Sequence, residues 1–307
     1  MRVIYGLNQI KRFRKPVVAL GVFDGVHVAH RRILKETVKK AKTIKGTSTV
    51  ITFWPHPQQE KNLYSLGHRL KLIAGLNIDI CIVIKFSYAF SQISAEDFIR
   101  NILVKRIGAK HVYVGENFRF GRQGNGNFRT LKKLSSNYNF KLKVFSLIKA
   151  NKRSISSTYI RHLISVGKLD TARKLLTRPV SILGTVIKGT SLAAKLGFPT
   201  ANINLHHEVL PPSGVYAVLV FLNHRRFKGV CNIGSKPTFQ KTIDKHIEVH
   251  IFGFRQNIYG KDLEIQFIKK LRDERKFSSP QSLVQQVKKD IESGKRQFPL
   301  PFTHHNR

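Results

Sequence analysis

The chain changes rhythm once, and that change limits what it can fold into. Between residues 17 and 176 short β-rich runs alternate with amphipathic stretches; after Arg178-Pro179 β-rich segments succeed one another through turns, with no long helix between them. The first rhythm describes strands joined by crossover helices into a parallel sheet, the second a small antiparallel barrel or sandwich. The fold class expected is therefore α/β, with residues 1–180 forming a parallel-sheet domain and residues 181–307 a small antiparallel β-barrel with a terminal helix. With 307 residues, 41% of them hydrophobic, the chain can fill two such cores.

In the first half, strands are expected at 17–23, 48–53, 80–86, 111–114 and 141–145. Between them, residues 31–42 present Ile33, Leu34, Val38 and Ala41 on one helical face, and residues 95–107 present Phe98, Ile102 and Leu103, with Ser94 and Asp97 as a capping box. In the second half, strands are expected at 181–187, 215–222, 226–233, 247–252 and 262–267. Ser279-Pro280 then opens a last helix whose apolar stripe is Leu283, Val284, Val287 and Ile291.

Composition narrows the function. Fifty-five Lys and Arg against 17 acidic residues give a net charge of +38, so polyanions are natural company: nucleotides, RNA or acidic membrane. The excess is +27 in residues 1–180 and +11 beyond. No compact run of basic residues interleaved with aromatics accompanies it, so nucleic acid is an open but not favoured partner. Cys81 and Cys231 lie far apart in apolar contexts, which excludes a secreted disulfide framework. No apolar stretch reaches the ~18 residues a spanning helix needs, and Asp24 breaks the one faint imitation of a signal peptide. A cytoplasmic location without a membrane partner is expected.

The segment Gly21-Val22-Phe23-Asp24-Gly25-Val26-His27-Val28-Ala29-His30 sits where the first strand gives way to the first helix. There, unpaired backbone N–H groups and the helix dipole favour an anion, and two histidines three apart can donate to one phosphate. An ordinary Asp-Gly turn with surface histidines, or a metal pair, are the alternatives; no Cys or acidic third ligand accompanies the pair.

These residues resemble the HxGH-type signature of nucleotidylyltransferases. Thr52-Phe53-Trp54-Pro55-His56-Pro57, then Val114-Gly115-Glu116-Asn117-Phe118-Arg119-Phe120-Gly121, then Ile155-Ser156-Ser157-Thr158-Tyr159-Ile160-Arg161 follow in the order found in bacterial bifunctional riboflavin kinase/FAD synthetases. The resemblance extends over essentially the whole chain and implies a Rossmann-like nucleotidylyltransferase domain followed by a riboflavin kinase barrel. It also implies an ATP site built from Phe23, Asp24, Gly25, His27, His30, His56, Ser156, Ser157, Thr158 and Arg161. Of these, His27, His30 and Arg161 stabilise charge on the α-phosphate, and Asn117 contacts the flavin. Where the family has glycine between the histidines, this chain has Ala29, which is no obstacle if the backbone there is helical.

In the second half, Leu196-Gly197-Phe198-Pro199-Thr200-Ala201-Asn202 resembles the Pro-Thr-Ala-Asn motif of riboflavin kinases. The resemblance places Thr200 and Asn202 at magnesium and the nucleotide phosphates, with Gly189 and Lys195 completing the ATP site. Family members carry Gly-Arg where this chain has Ala193-Ala194, leaving Lys195 as the neighbouring cation. In Ile247-Glu248-Val249-His250, strand alternation puts Glu248 and His250 on one face and Ile247 and Val249 on the other. The resemblance makes Glu248 the base for the ribityl 5′-hydroxyl. Arg272, in Leu271-Arg272-Asp273-Glu274-Arg275-Lys276-Phe277, is implied as a flavin contact.

The expected function is conversion of riboflavin and ATP to FMN, then of FMN and a second ATP to FAD and pyrophosphate, with Mg2+ assisting both steps. Two alternatives remain at this stage: a kinase with a degenerate adenylylation site, and a basic nucleic-acid-binding protein on the same scaffold.

Overall fold

A computed structural model of the chain describes residues 1–10, 12–57, 62–150, 153–189, 196–206, 208–237 and 243–298. The chain divides into two compact units, Met1–Ile160 with Leu175–Thr177, and Arg161–Lys174 with Arg178–Arg307.

The first unit is built on six parallel strands: β1 (Arg2–Tyr5), β2 (Val17–Leu20), β3 (Ser48–Trp54), β4 (Ile80–Lys85), β5 (His111–Gly115) and β6 (Lys141–Phe145), in the order β1-β4-β3-β2-β5-β6. The five expected strands are present, and β1 joins them on the edge beside β4. Helices cover both faces, so the central strands are apolar on both sides rather than alternating. Val18 and Leu20 pack with Ile51, Phe98 and Leu103; Val17 and Ala19 pack with Val50, Ile33 and Leu34 of α1 (Val28–Thr43). Four further helices of the first unit are α2 (Leu66–Ala74), α3 (Tyr88–Ser91), α4 (Ala95–Asp97) and α5 (Phe128–Ser135). Ser94 caps α4 by accepting from the Asp97 N–H, and the chain continues directly into a π-wound stretch, Phe98–Ile107, with Phe98, Ile102 and Leu103 buried as the periodicity required.

A short hairpin, β7 (Lys149–Ala150) with β8 (Arg153–Ser154), precedes α6 (Ser157–Ser165) and α7 (Leu169–Leu176). Then come β9 (Ser181–Ile187), β10 (Ala201–Leu205), β11 (Gly214–Leu222), β12 (Arg225–Pro237), β13 (Ile243–Ile251) and β14 (Asp262–Arg272). They close into an antiparallel barrel, β10-β13-β12-β11-β14-β9, so the alternative of a sandwich falls away. The additional strand β10 begins inside the Pro-Thr-Ala-Asn segment, at Ala201, and runs on to Leu205. α8 (Pro280–Lys295) opens as expected, with Ser279 and Ser282 capping each other and Pro280 at the first turn. Gly294 lets α8 approach the barrel closely: a Cβ there would lie 2.5 Å from Val230 Cγ1.

Candidate active sites

In an open parallel sheet, ligands bind at the carboxyl ends of strands where the order reverses. Here β2 has β3 on one side and β5 on the other, so the crevice lies between β2 and β5. The turn after β2 carries the two histidines, and the loop after β5 carries Asn117.

That turn is tightly wound. Phe23, Gly25 and Val26 all have positive φ (54°, 80° and 41°), and at Gly25 a Cβ would meet Leu63 Cδ1 at 2.6 Å, so only glycine fits. Asp24 holds the turn from beneath. Its carboxylate, 1% exposed, accepts from the N–H groups of Leu63 (2.8 Å) and Tyr64 (3.2 Å) and pairs with Arg69 at 3.7 Å. Arg69 is fully buried and also donates to the carbonyls of Val22 (3.0 Å) and Phe53 (3.3 Å), tying together the ends of β2 and β3. Burial draws its guanidinium below the ordinary value, and the Asp24 charge opposes that shift. Phe23 is buried too, its ring edge-on to His30 at 5.3 Å. The side chains of Phe23 and Asp24 thus shape the turn from within rather than line its outer surface.

His27 takes the extended conformation of an N-cap, and Ala29 and His30 follow inside α1. The backbone at Ala29 is therefore helical, the condition under which its methyl group is harmless. The two imidazoles stack, centroids 3.6 Å apart and 19° from coplanar. His27 is 3% exposed and His30 is half-buried. Ser156 caps α6 by accepting from the Tyr159 N–H (3.2 Å), while Ser157 Oγ donates to the Asp24 carbonyl (2.8 Å) and so brings the start of α6 to the histidine turn. Thr158 lies in the first turn of α6 and Arg161 one turn further along it. His56 is buried just beyond β3, after the cis Trp54–Pro55 bond. Asn117 is exposed, its Oδ1 3.2 Å from where a Cβ on Gly115 would stand.

In the barrel, strand register assembles the second site. Asn202 of β10 lies directly opposite Glu248 of β13, which in turn lies opposite Asn232 of β12. Residues facing each other in this way project from the same face, with Cβ atoms about 5 Å apart. Ile247 and Val249, both 1% exposed, point into the core, so Glu248 stands on the outer wall as alternation predicts. Asn202 is 7% exposed, and its Oδ1 finds no partner among the described residues. Gly189 packs against that amide, where a Cβ would meet Nδ2 at 2.0 Å. Thr200 is half-buried just ahead of β10. The histidines on either side of Glu248 are both engaged: His246 Nε2 bonds Glu248 Oε1 (2.6 Å), and His250 Nδ1 donates to the Pro199 carbonyl (2.9 Å), anchoring the segment that carries Thr200. Ala193, Ala194 and Lys195 lie outside the described residues. Arg272 is held by Asp290 through Nε and Nη2 (2.9 and 2.7 Å) and donates to the Asp273 carbonyl, so much of its guanidinium fastens β14 to α8. Asn232, His246, Arg69 and Asp290 were not among the candidates. Of these, His246 carried a signal, being two residues from Glu248 on the same strand face.

Residues 9–159 match the family model of FAD synthetase, and residues 176–298 that of riboflavin kinase. A bifunctional riboflavin kinase/FMN adenylyltransferase of Buchnera aphidicola subsp. Schizaphis graminum is 41% identical over 98% of this chain and 100% of its own length. The chain belongs to the bifunctional riboflavin kinase/FMN adenylyltransferase family. The Haemophilus influenzae member is 36% identical over 97% of this chain and 99% of its own. A crystal structure described as a macrolide-efflux protein from Streptococcus pneumoniae is similar across 97% of this chain and 99% of its own, with a TM-score of 0.84 and 28% identity. No helix among the described residues is long and apolar enough to cross a membrane. As a member of this family the chain is both riboflavin kinase and FMN adenylyltransferase, producing FMN and FAD.

Proposed function

We propose that riboflavin is phosphorylated at residues 181–307 and FMN adenylylated at residues 1–180, each with its own ATP. The observation that carries the kinase half is the register that sets Asn202 beside Glu248. The riboflavin 5′-hydroxyl oxygen attacks the γ-phosphorus, the bond from that phosphorus to the ADP oxygen breaks, and the hydroxyl proton passes to Glu248. Because an alkoxide is far too basic to form beforehand, the main work of Glu248 is to orient the hydroxyl and accept its proton as the new bond forms.

Mg2+ fits this wall. A hard cation takes oxygen ligands and keeps several waters, and Thr200 and Asn202 offer a hydroxyl and a buried amide oxygen without a partner among the described residues. When bound with ATP it would supply neutralisation of the phosphate charge. Gly189 leaves the Asn202 amide room to meet it, and Lys195 is assigned to the nucleotide phosphates. Arg272 contributes to the flavin side with the N–H groups that Asp290 and Asp273 leave over.

The adenylylation half needs donors rather than a base, since the FMN phosphate oxygen that attacks the α-phosphorus is already anionic, and pyrophosphate leaves. His27 and His30 at the N-terminus of α1 and Arg161 are assigned to the developing charge, where each well-aimed donor is worth roughly 2.7–4 kcal/mol. Phe23, Asp24 and Gly25 fix the turn; His56, Ser156, Ser157 and Thr158 complete the ATP cradle, and Asn117 meets the flavin. Two buried free thiols agree with a reducing compartment, the cytoplasm. Incubation with riboflavin, ATP and Mg2+, followed by mass analysis over time, should show FMN and then FAD. Absence of FAD with FMN accumulating would remove the assignment of residues 1–180.

A further inference from the structure

Glu248 does not stand alone on its wall. His246, two residues earlier on β13, shares its face, and its Nε2 meets Glu248 Oε1 at 2.6 Å. A carboxylate only accepts, so Nε2 carries the hydrogen and donates it. The pair is shielded but not sealed, with side chains 31% and 25% exposed, and such a pair adds little to stability. Opposite His246 on β12 stands Gly234, which offers no competing side chain, and Asn232 occupies the position opposite Glu248. From the segment after β14, Glu274 approaches Gly234, its Oε1 lying 2.9 Å from where a Cβ would be. On the other side of Glu248, His250 is already committed to the Pro199 carbonyl.

We infer that His246 is a positioning residue for riboflavin phosphorylation: by holding Glu248 Oε1 it turns Oε2 toward the 5′-hydroxyl and fixes the carboxylate rotamer. This rests on the assignment of Glu248 as the base. A carboxylate on a strand has several rotamers, of which few bring an oxygen to a bound hydroxyl. A hydrogen bond that selects one of them acts on turnover rather than on substrate affinity, since it makes no contact with substrate.

Four variants of the full chain separate the possibilities: His246→Ala, His246→Gln, whose amide nitrogen can reach the position of Nε2, Glu248→Gln, and the His246→Ala/Glu248→Gln double. FMN formation is measured by kcat and KM, and FAD formation from supplied FMN by the same preparation reports folding. The expected result is a kcat for FMN formation about 10- to 100-fold lower in His246→Ala, with KM for riboflavin and ATP unchanged, and substantial recovery in His246→Gln. In a His246→Ala/Glu248→Gln chain, loss of the histidine should add nothing to loss of the carboxylate. A His246→Ala kcat within twofold of wild type while Glu248→Gln is inactive overturns the role of His246 alone. So does equal loss in the Ala and Gln variants. A fully active Glu248→Gln overturns the assignment of the base itself, whatever His246 does.

Discussion

Asp24 and Arg69 face each other at 3.7 Å with side chains 1% and 0% exposed, 45 residues apart in sequence and joined beneath the histidine turn. Removing one member of such a pair leaves an uncompensated charge in the core. Arg69→Met should therefore cost about 3–5 kcal/mol in urea unfolding, and Asp24→Asn in the same chain should restore part of it. FAD formation should fall in the single variant, because the carbonyls of Val22 and Phe53 lose their common donor.

Glu248→Gln keeps the shape of the side chain and removes its capacity to take a proton. FMN formation should drop roughly 100- to 10,000-fold, with FAD formation from supplied FMN retained. Steady-state assays of the two reactions in one preparation check both statements.

Gly189→Ala drives a methyl group to within 2.0 Å of the Asn202 amide, which must shift. Phosphorylation should then require more Mg2+, as in Asn202→Ala. A titration of FMN formation with Mg2+ that is indifferent to both substitutions would count against the placement of the cation.

His111 lines a basic concavity of about 360 Å³ with Lys39, Lys40, Thr43, Lys141 and Lys143, beside β5 and β6. Burial first, then the charges of Lys40 and Lys141, hold its imidazole below the ordinary value of 6.5. Between that lowered value and 6.5, the unfolded chain binds a proton that the folded chain refuses, so stability falls as pH drops through this window. Lys40→Met should move the His111 titration upward, read by NMR of the imidazole signals.

Gly294→Val places atoms where Val230 Cγ1 already stands, 2.5 Å from the Cβ position. Overpacking of this kind costs about 1–3 kcal/mol, visible as a lower melting temperature.

What the sequence made legible is what local chemistry decides. Ser94 and Ser279-Pro280 mark helix starts because capping involves residues three apart, and Ile247 and Val249 identify the inner face of β13 because alternation needs no partner. β1 escaped because four residues beside a basic loop carry no period of their own; it is a strand only because β4 lies next to it. β10 was hidden for a related reason: Ala201–Leu205 mixes asparagines with apolar residues and becomes a strand through β9 and β13. Likewise the histidines, Glu248 and the Pro-Thr-Ala-Asn segment were legible as motifs. The holds of Arg69 on Asp24 and Asp290 on Arg272 depend on contacts between residues distant in sequence, for which no spacing rule exists.

The two sheets also differ in what they offer to other chains. Among the described residues each barrel strand has a neighbour on both sides, so none stands at a sheet edge. The parallel sheet ends in the open ladders of β1 and β6, and β6 exposes Lys141 and Lys143. Lys143 is paired with Glu36 at 2.9 Å, so it is Lys141 that a second such edge would meet unneutralised, and its charge guards this edge against aggregation.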